Sequence, residues 1–331
     1  MRNTDLALII AAFLITNSHL KDFYPSPLLG GDGLLGVSLF FFLSGFGLAL
    51  SARKTPRPFL AFYLRRVERI YPALILAALV LHFLLPAHWR DWDWQYYVGE
   101  FTYPTGYHFI KYIMVLYIPA FFFLTASPRT VGVAIALLVI PFVYFWFNPV
   151  GAELPQYGAG CTAMFWVWGL QQVLFGILLA CYPAHLRSAT IRRDWVLALL
   201  ACGVYIAAKL AIKRFSLPSY CFMGVFLLLY PAIYLILRAS AATDFLAFAK
   251  RHARLGAAGA FVAGLALEIY FVQEYLQYSA PIKNLRFPVN VLALFALTLA
   301  GAVVLQVAAR AIVHLWSAKP RAGAARAPSD G

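Results

Sequence analysis

Charged residues are scarce in this chain of 331 residues, and acidic ones are the scarcest. Charged residues make up 12% of the sequence, hydrophobic residues make up 63%, and the mean hydropathy is +0.75. Because soluble domains carry about 25% charged residues, this composition excludes an ordinary soluble domain. The 27 basic residues outnumber the 13 acidic ones. In so apolar a chain, basic residues in short loops are typical of topology determinants that contact lipid headgroups, so we expect membrane lipids as partners and no nucleic acid.

Cysteines are also few, and their spacing excludes the usual metal and disulfide motifs. The four cysteines, Cys161, Cys181, Cys202 and Cys221, form no C-x-x-C pair and lie mostly in apolar runs. The histidines show no metal-ligand spacing either, so we predict no metal site. Cys181 and Cys202 are predicted to be small, buried apolar residues.

Long apolar runs dominate what is present, and ten of them are long enough to cross a membrane as helices. The first run lacks a small-residue cleavage site and further runs follow at once, so we interpret it as an uncleaved helix rather than a signal peptide. Pro141 is expected to break the fifth run. The sequence therefore predicts an all-α integral membrane protein, a polytopic bundle of about ten transmembrane helices. The runs lie near residues 5–20, 34–51, 70–86, 107–126, 131–148, 164–182, 194–212, 219–238, 259–278 and 289–312.

The distribution of basic residues predicts the orientation of the chain. With the N-terminus in the cytoplasm, most of the 27 lysines and arginines fall in cytoplasmic segments, and the positive-inside rule then places both termini there. Residues 1–316 form the predicted membrane domain. Residues 317–331, which are small, polar and rich in Pro, Ala and Gly, are predicted to be a disordered cytoplasmic tail.

Two features near the N-terminus indicate chemistry. His19 closes the first apolar run, and a titratable imidazole among apolar helices is expensive to keep, so it marks a functional site by default. The arginine cluster FYLRRVERIYP, residues 62–72, follows the second run. Arginines just beyond an apolar run can hold an anionic phosphate at the membrane face. Together the two features indicate group transfer at a bilayer, and hence a membrane enzyme.

The same segments carry a resemblance to a known family. The helix that ends in His19, GVSLFFFLSGF at 36–46, RRVERIYP at 65–72 and LEIYFVQ at 267–273 resemble the acyltransferase-3 family of membrane O-acyltransferases. The resemblance covers nearly the whole chain. It implies transfer of an acyl group, expected to be acetyl, from acyl-CoA to a hydroxyl of a cell-surface polysaccharide or lipid-linked sugar. It further implies the bacterial inner membrane, with acyl-CoA as a co-substrate and no bound cofactor.

Two positions depart from the pattern of that family. Leu8 stands where the family usually has an arginine, and Arg2 is too far along the helix, roughly 25 Å from His19, to replace it. Gln273 stands where the family has a late histidine, and Leu267 replaces the preceding tyrosine. The chain is therefore interpreted as a divergent member.

His19 is the predicted catalytic base, because imidazole takes up a proton near neutral pH as a sugar hydroxyl attacks the acyl carbonyl. Acylation of His19 itself in a ping-pong route is an open alternative, and a histidine that only caps the helix is the non-catalytic one. Asn17, Ser18 and Ser44 could orient His19 or donate hydrogen bonds to an oxyanion. Small polar residues also hold helices together.

Arg66 and Arg69 are spaced three apart, so on a helix they share a face. With Arg65, they are predicted to bind the phosphates of acyl-CoA arriving from the cytoplasm, with the acyl arm running between helices toward His19. The alternative is ordinary positive-inside charge that contacts lipid headgroups.

The ninth run carries a group of polar residues. Tyr270, Gln273 and Glu274 share one helical face, predicted to line the bundle interior together with Glu268. Carboxylates within a span are rarely idle. One of these residues could orient His19 or bind the hydroxyls of the carbohydrate acceptor, whereas a proton-coupled transporter would use the same polar stripe as a relay.

Three functions are therefore compared. The first is an acyl-CoA-dependent O-acyltransferase, the second a transporter or flippase of an envelope glycan precursor, and the third a structural partner in polysaccharide assembly. The arginine cluster beside a lone intramembrane histidine favours the first. A transporter would more naturally show broken helices and several midplane charges.

Overall fold

The computed structural model describes residues 4–31, 33–84, 108–147, 163–186, 191–217, 221–241, 247 and 250–317, and these residues form helices and turns without a strand. Three short 3-10 helices span Lys21–Phe23, Pro27–Gly30 and Pro183–Leu186. The α-helices are α1 (Asp5–Ser18), α2 (Gly33–Lys54), α3 (Phe59–Leu84), α4 (His108–Phe121), α5 (Pro128–Leu137), α6 (Val139–Phe147), α7 (Ala163–Ala180), α8 (Ile191–Arg214), α9 (Phe222–Ser240), α10 (Ala253–Gly264), α11 (Ala266–Leu276), α12 (Ala280–Lys283) and α13 (Val289–Ser317).

Each predicted apolar run coincides with a helix or a pair of helices. Over the described residues, α2, α8, α9 and α13 are long and apolar enough to cross a membrane, and the bent pair α10–α11 makes a fifth if it is one span. The all-helical architecture is confirmed. The number of ten crossings and the cytoplasmic position of both termini stay predictions, and the predicted tail falls almost wholly outside the described residues.

Helix α3 begins well before the apolar run that predicted it. It starts at Phe59 rather than near residue 70, so the arginine cluster lies within the helix. Leu, Arg and Glu are all good helix formers. The charges of Arg and Glu lower the average hydropathy of this segment without lowering its helix propensity, so hydropathy alone places the start of the helix too late. The predicted break near Pro141 is confirmed, since α5 ends at Leu137 and α6 begins at Val139. Proline lacks an N–H and its ring clashes with the carbonyl four residues earlier, which is that of Leu137.

Helix α2 is the centre of the bundle and packs against α1, α4, α7 and α9. Its crossing with α7 depends on two glycines. A Cβ atom on Gly45 would collide with the carbonyl oxygen of Val173, and one on Gly176 would collide with that of Phe42. Gly45 on α2 and Gly176 on α7 therefore allow a close backbone approach of the two helices, which any larger side chain at either position would prevent.

The ninth apolar run is broken, contrary to the single helix expected for 259–278. Helices α10 and α11 meet at an angle of 61°. The Gly264 carbonyl at the break accepts hydrogen bonds from Gln306 Nε2 at 3.0 Å and Arg69 Nη2 at 3.3 Å. Side chains from α13 and α3 thus satisfy a backbone group that the bend frees. These two hydrogen bonds stabilise the bend. After the bend, α11 packs against α1, α3 and α13.

The prediction that Cys181 and Cys202 are buried is wrong, because both are half-buried. Cys181 follows the last residue of α7, where Arg53 Nη2 reaches to within 2.8 Å of its sulfur. Cys202 lies on α8, which packs mainly on α9 and is otherwise peripheral. Cys161 lies outside the described residues.

Candidate active site

His19 occupies the turn between α1 and the first 3-10 helix. Its backbone N–H donates to the Thr16 carbonyl at 3.1 Å, which closes the helix. The next residue, Leu20, is fully buried in a small apolar cluster with Ile282 and Leu294. Asn290 Nδ2 also donates to the carbonyl of Phe23 at 2.8 Å. The turn that carries the imidazole is therefore anchored on both sides.

His19 is an exposed residue, yet the surrounding protein desolvates its imidazole and lowers its pKa below 6.5. Gln277 opposes this shift and nearby Lys21 adds to it, and the pKa remains lowered. A lowered pKa keeps the ring neutral at pH 7 and therefore able to accept a proton.

Asn17 and Ser18 support this turn. Asn17 Nδ2 donates to the Leu29 carbonyl at 2.9 Å, and its Oδ1 accepts from the Tyr24 hydroxyl. Ser18 Oγ donates to the Ile15 carbonyl at 2.7 Å. These bonds tie the end of α1 to the segment before α2. Of the roles considered for Asn17 and Ser18, the contacts favour orienting the turn over binding an oxyanion.

Gln277, which was not among the expected residues, faces His19. It follows α11, its side chain is hydrogen-bonded to the imidazole, and only 7% of its surface is exposed. The signal in the sequence is its spacing, because Gln277 lies three residues after Glu274 and four after Gln273, on the same helical face.

Ser44 lies away from His19. Gly33, at the start of α2, approaches Ser18, and Ser44 is eleven residues further along, about 16 Å down the helix axis. Its hydroxyl is hydrogen-bonded to the phenol of Tyr117 on α4, which also interacts with Arg66. The structure therefore groups Ser44 with the arginine cluster.

The arginine cluster is a concentration of positive charge on the first half of α3. Arg66 interacts electrostatically with Arg57, Arg65 and Arg69. Its guanidinium lies 5.6 Å from the centre of the Phe62 ring, and its Nε is buried with no hydrogen-bond partner among the described residues. Like charges held together with an unsatisfied donor favour binding of an anion.

Arg69 has a different environment, because it binds a carboxylate of the protein itself. Its Nη1 lies 2.7 Å from Glu268 Oε1, and Glu268 is completely buried whereas the Arg69 side chain is 47% exposed. Its Nη2 donates to Gly264 at the bend. The structure thus brings together two residues that were assigned to separate roles, and it places Glu268 at the arginine end of α11.

We expect Arg69→Ala to lower the free energy of unfolding by about 3–5 kcal/mol, because Glu268 would be left as a buried, unpaired carboxylate. The measurement is the melting temperature in detergent. The double variant Arg69→Met/Glu268→Leu should recover most of the loss. The matched control is Lys283→Ala, which removes an exposed ion pair with Asp22 (3.3 Å, Asp22 78% exposed) and should cost less than about 1 kcal/mol. Equal losses in the two single variants would contradict a structural role for Arg69.

The remaining polar residues of α11 lie between Glu268, near the start of the helix, and Gln277, just after its end. The amide of Gln273 is buried, and neither its nitrogen nor its oxygen has a hydrogen-bond partner among the described residues. The Tyr270 ring packs against Phe109 of α4, with 5.5 Å between ring centroids. Glu274 is half-buried, and its backbone carbonyl accepts from Gln277 Nε2 at 3.0 Å. An unsatisfied buried amide in such a position is suited to binding a polar ligand.

Helix α11 therefore links the two groups of candidate residues. Glu268, at one end, is paired with Arg69 beside the arginine cluster, and Gln277, just past the other end, is bonded to His19. Nine residues of helix separate them by about 14 Å. A family model described as an acyltransferase domain matches residues 3–307. The chain belongs to the acyltransferase-3 family.

In this acyltransferase the family match spans both the His19 turn and the broken helix α10–α11. Its apolar helices make it an integral membrane protein. No curated protein and no solved structure matches the chain. The roles of its individual residues are therefore inferred from the contacts and distances of the described residues.

Proposed function

We propose that this protein is an O-acyltransferase that moves an acetyl group from acetyl-CoA to a hydroxyl of a cell-envelope polysaccharide or its lipid-linked precursor. The observation that carries the proposal is the placement of the two groups beside opposite ends of α11. Arg69 binds Glu268 at one end, His19 lies beside Gln277 at the other, and nine residues of helix, about 14 Å, separate Glu268 from Gln277. The end beside the arginine cluster is suited to binding the anionic phosphates of coenzyme A, and the end beside His19 is suited to proton transfer. For an acceptor in the cell envelope, the proposed location of the enzyme is the inner membrane of a bacterium.

The donor binds through its phosphates. Arg66 supplies a buried, unsatisfied Nε, and the exposed Arg65 adds charge from the next position. Arg69 adds to the positive electrostatic potential at this site, while its guanidinium remains paired with Glu268. Charge-assisted hydrogen bonds from guanidinium to phosphate are among the strongest that proteins form. The flexible arm of coenzyme A then extends along α11 toward His19.

The transfer step uses His19 as a general base. Its neutral nitrogen takes the proton of the acceptor hydroxyl while the hydroxyl oxygen bonds to the thioester carbonyl carbon. The carbon–sulfur bond breaks, the ester forms, and the departing coenzyme A thiolate receives the proton from the imidazolium. An acyl-histidine intermediate would lead to the same products in two steps, and we propose the direct attack because it needs fewer steps.

The acceptor binds beside α11. The unsatisfied amide of Gln273 offers both a donor and an acceptor, which is what a sugar hydroxyl requires. Tyr270 and the half-buried Glu274 share its helical face. A polar face in an otherwise apolar bundle is suited to carbohydrate.

One observation favours a second function, that of a transporter or flippase for an envelope glycan. The 61° bend between α10 and α11 resembles the interrupted helices on which transporters bind substrate. In the described residues, however, the carbonyl that the bend frees at Gly264 is bonded to Arg69 and Gln306. That carbonyl is therefore already occupied, and the enzyme is the stronger proposal.

The test uses purified protein in lipid vesicles, radiolabelled acetyl-CoA and cell-envelope glycans. We expect label in the glycan and release of one free coenzyme A thiol for each acetyl group transferred. Vesicles without protein give the background. Movement of a lipid-linked glycan across the bilayer, with no short acyl-CoA consumed, would contradict the proposal and support the transporter.

A further inference from the structure

We infer that Thr298 of α13 and Gln273 of α11 form one buried subsite that binds hydroxyl groups of the acceptor sugar. The inference rests on the proposed O-acetyl transfer, and it extends the acceptor site from α11 to a second helix. Thr298 belongs to none of the sequence motifs that indicate a function.

Both side chains are buried polar groups that the protein itself leaves unsatisfied. Gln273 is 1% exposed and Thr298 is 2% exposed. Within the part of the chain that the structure describes, the Thr298 hydroxyl and both polar atoms of the Gln273 amide have no hydrogen-bond partner. Buried polar atoms in native proteins are nearly always bonded, so these three atoms favour a ligand or an ordered water between the helices.

Helices α11 and α13 run antiparallel, and their contacts set the level of the two side chains. Gln306 binds the carbonyl at the bend before α11, and a Cβ atom on Gly301 would lie 2.9 Å from Val272 Cγ1. Counted from that second contact, Gln273 is one residue further along α11 and Thr298 is three residues back along α13. The helical rise therefore places the two residues within about 3 Å of each other along the bundle.

Thr298 faces the space between α11 and α1. On α13, Gly301 contacts α11, and Phe295 stacks on Phe13 of α1 with 5.6 Å between the ring centroids. Thr298 lies three residues from Gly301 and three from Phe295, and three residues correspond to about 60° around a helix. Thr298 is therefore midway between the face toward α11 and the face toward α1.

Gln273 faces the same space from α11. Its neighbour Val272 contacts α13, and Glu268 is bonded to Arg69 of α3. Gln273 lies about 100° around the helix from Val272 and about 140° from Glu268. Because α11 packs mainly against α1, α3 and α13, the side that carries Gln273 is the side toward α1, the helix that leads to His19.

The three unsatisfied atoms match the hydroxyl groups of a sugar. The Gln273 amide offers N–H donors and an oxygen acceptor, and the Thr298 hydroxyl can donate and accept. Neighbouring hydroxyls on a sugar ring donate and accept as well. Neither side chain carries a charge, so the subsite is suited to a neutral ring rather than to the phosphates of coenzyme A, which favour charged donors.

The test measures equilibrium binding of purified cell-envelope glycan to the full-length protein in lipid nanodiscs by calorimetry. Thr298→Val is nearly isosteric and removes only the hydroxyl. We expect it to weaken glycan binding about 3- to 10-fold, which corresponds to one neutral hydrogen bond. The KM for acetyl-CoA should be unchanged. The melting temperature should not fall, because the hydroxyl loses no partner among the described residues.

A second comparison tests whether the two residues hold the same ligand. In a Gln273→Leu background, Thr298→Val should weaken glycan binding less than it does in the wild type, because residues that share a ligand are coupled. Ser240→Ala is the matched control. Ser240 is a buried residue of α9 whose hydroxyl donates to the Ile236 carbonyl at 2.7 Å, and its substitution should leave glycan binding unchanged.

Unchanged glycan binding in Thr298→Val would overturn the inference, and a lower melting temperature of that variant would then assign the hydroxyl to an ordered water. A raised KM for acetyl-CoA with glycan binding intact would also overturn it and would place Thr298 beside the donor. Failure of the wild type to bind glycan would overturn it as well. Binding is measured without turnover, so a wild-type protein that binds glycan through Thr298 but transfers no acetyl group would refute the proposed function and leave the subsite in place.

Discussion

Replacing His19 with alanine is expected to lower kcat for acetyl transfer about 10²- to 10⁴-fold, which is the usual contribution of a positioned general base. The ring is exposed and lies in a turn whose anchors are the neighbouring residues Asn17 and Leu20. Its removal should therefore leave expression, membrane insertion and the KM for acetyl-CoA unchanged. The measurement is steady-state transfer by purified protein in vesicles.

The same residue predicts the pH dependence of the wild-type rate. Base catalysis needs the neutral imidazole, and the folded protein lowers the pKa of His19 below its usual 6.5. The rate should therefore be constant through pH 7 and fall only as the pH drops below 6.5. A histidine that merely capped α1 would behave differently. Its substitution would lower the melting temperature and leave kcat and its pH profile in place.

Replacing Arg66 with glutamine is expected to raise the KM for acetyl-CoA about 10- to 100-fold. Loss of a hydrogen bond to a charged group costs about 1.5–3 kcal/mol, and each 1.4 kcal/mol is a factor of ten in affinity. Its Nε is buried without a partner among the described residues, so the substitution breaks no bond to that atom within the protein. The kcat at saturating acetyl-CoA should stay within a few-fold of the wild type.

Arg129→Gln is the matched control for Arg66→Gln. Arg129 is exposed at the start of α5 and is predicted to face the cytoplasm, as the arginine cluster is. Both variants lose one positive charge, so a general effect of charge on membrane orientation or on attraction of coenzyme A would appear in both. Equal changes in KM in the two variants would assign Arg66 to topology rather than to donor binding.

The helical architecture could be predicted from sequence because hydropathy is a local property, and each run contains its own signal. The bend between α10 and α11 could not, since it depends on Arg69 and Gln306, which lie 195 and 42 residues from Gly264. No window along the chain contains these partners. The start of α3 at Phe59 was missed for a related reason, because charge lowers hydropathy without lowering helix propensity.

The sequence predicts which residues belong to the candidate site better than it predicts how those residues are arranged. His19 and the arginine cluster stand out because charged and titratable groups are costly near lipid. The pairing of Arg69 with Glu268 is a tertiary contact, and it moves Glu268 away from His19 to the other end of α11. Ser44 was expected near His19 from its polarity alone, and the length of α2 places it beside Tyr117 instead.

The central claim is that His19 and Arg66 serve one reaction at two separate steps, proton transfer and donor binding. It is tested most directly by measuring acetyl-CoA binding and single-turnover acetyl transfer on the same preparations of His19→Ala and Arg66→Gln. The account predicts that His19→Ala binds acetyl-CoA as the wild type does and fails to transfer it, while Arg66→Gln binds weakly and transfers normally once saturated. Wild-type transfer by His19→Ala, or loss of both properties in both variants, would contradict it.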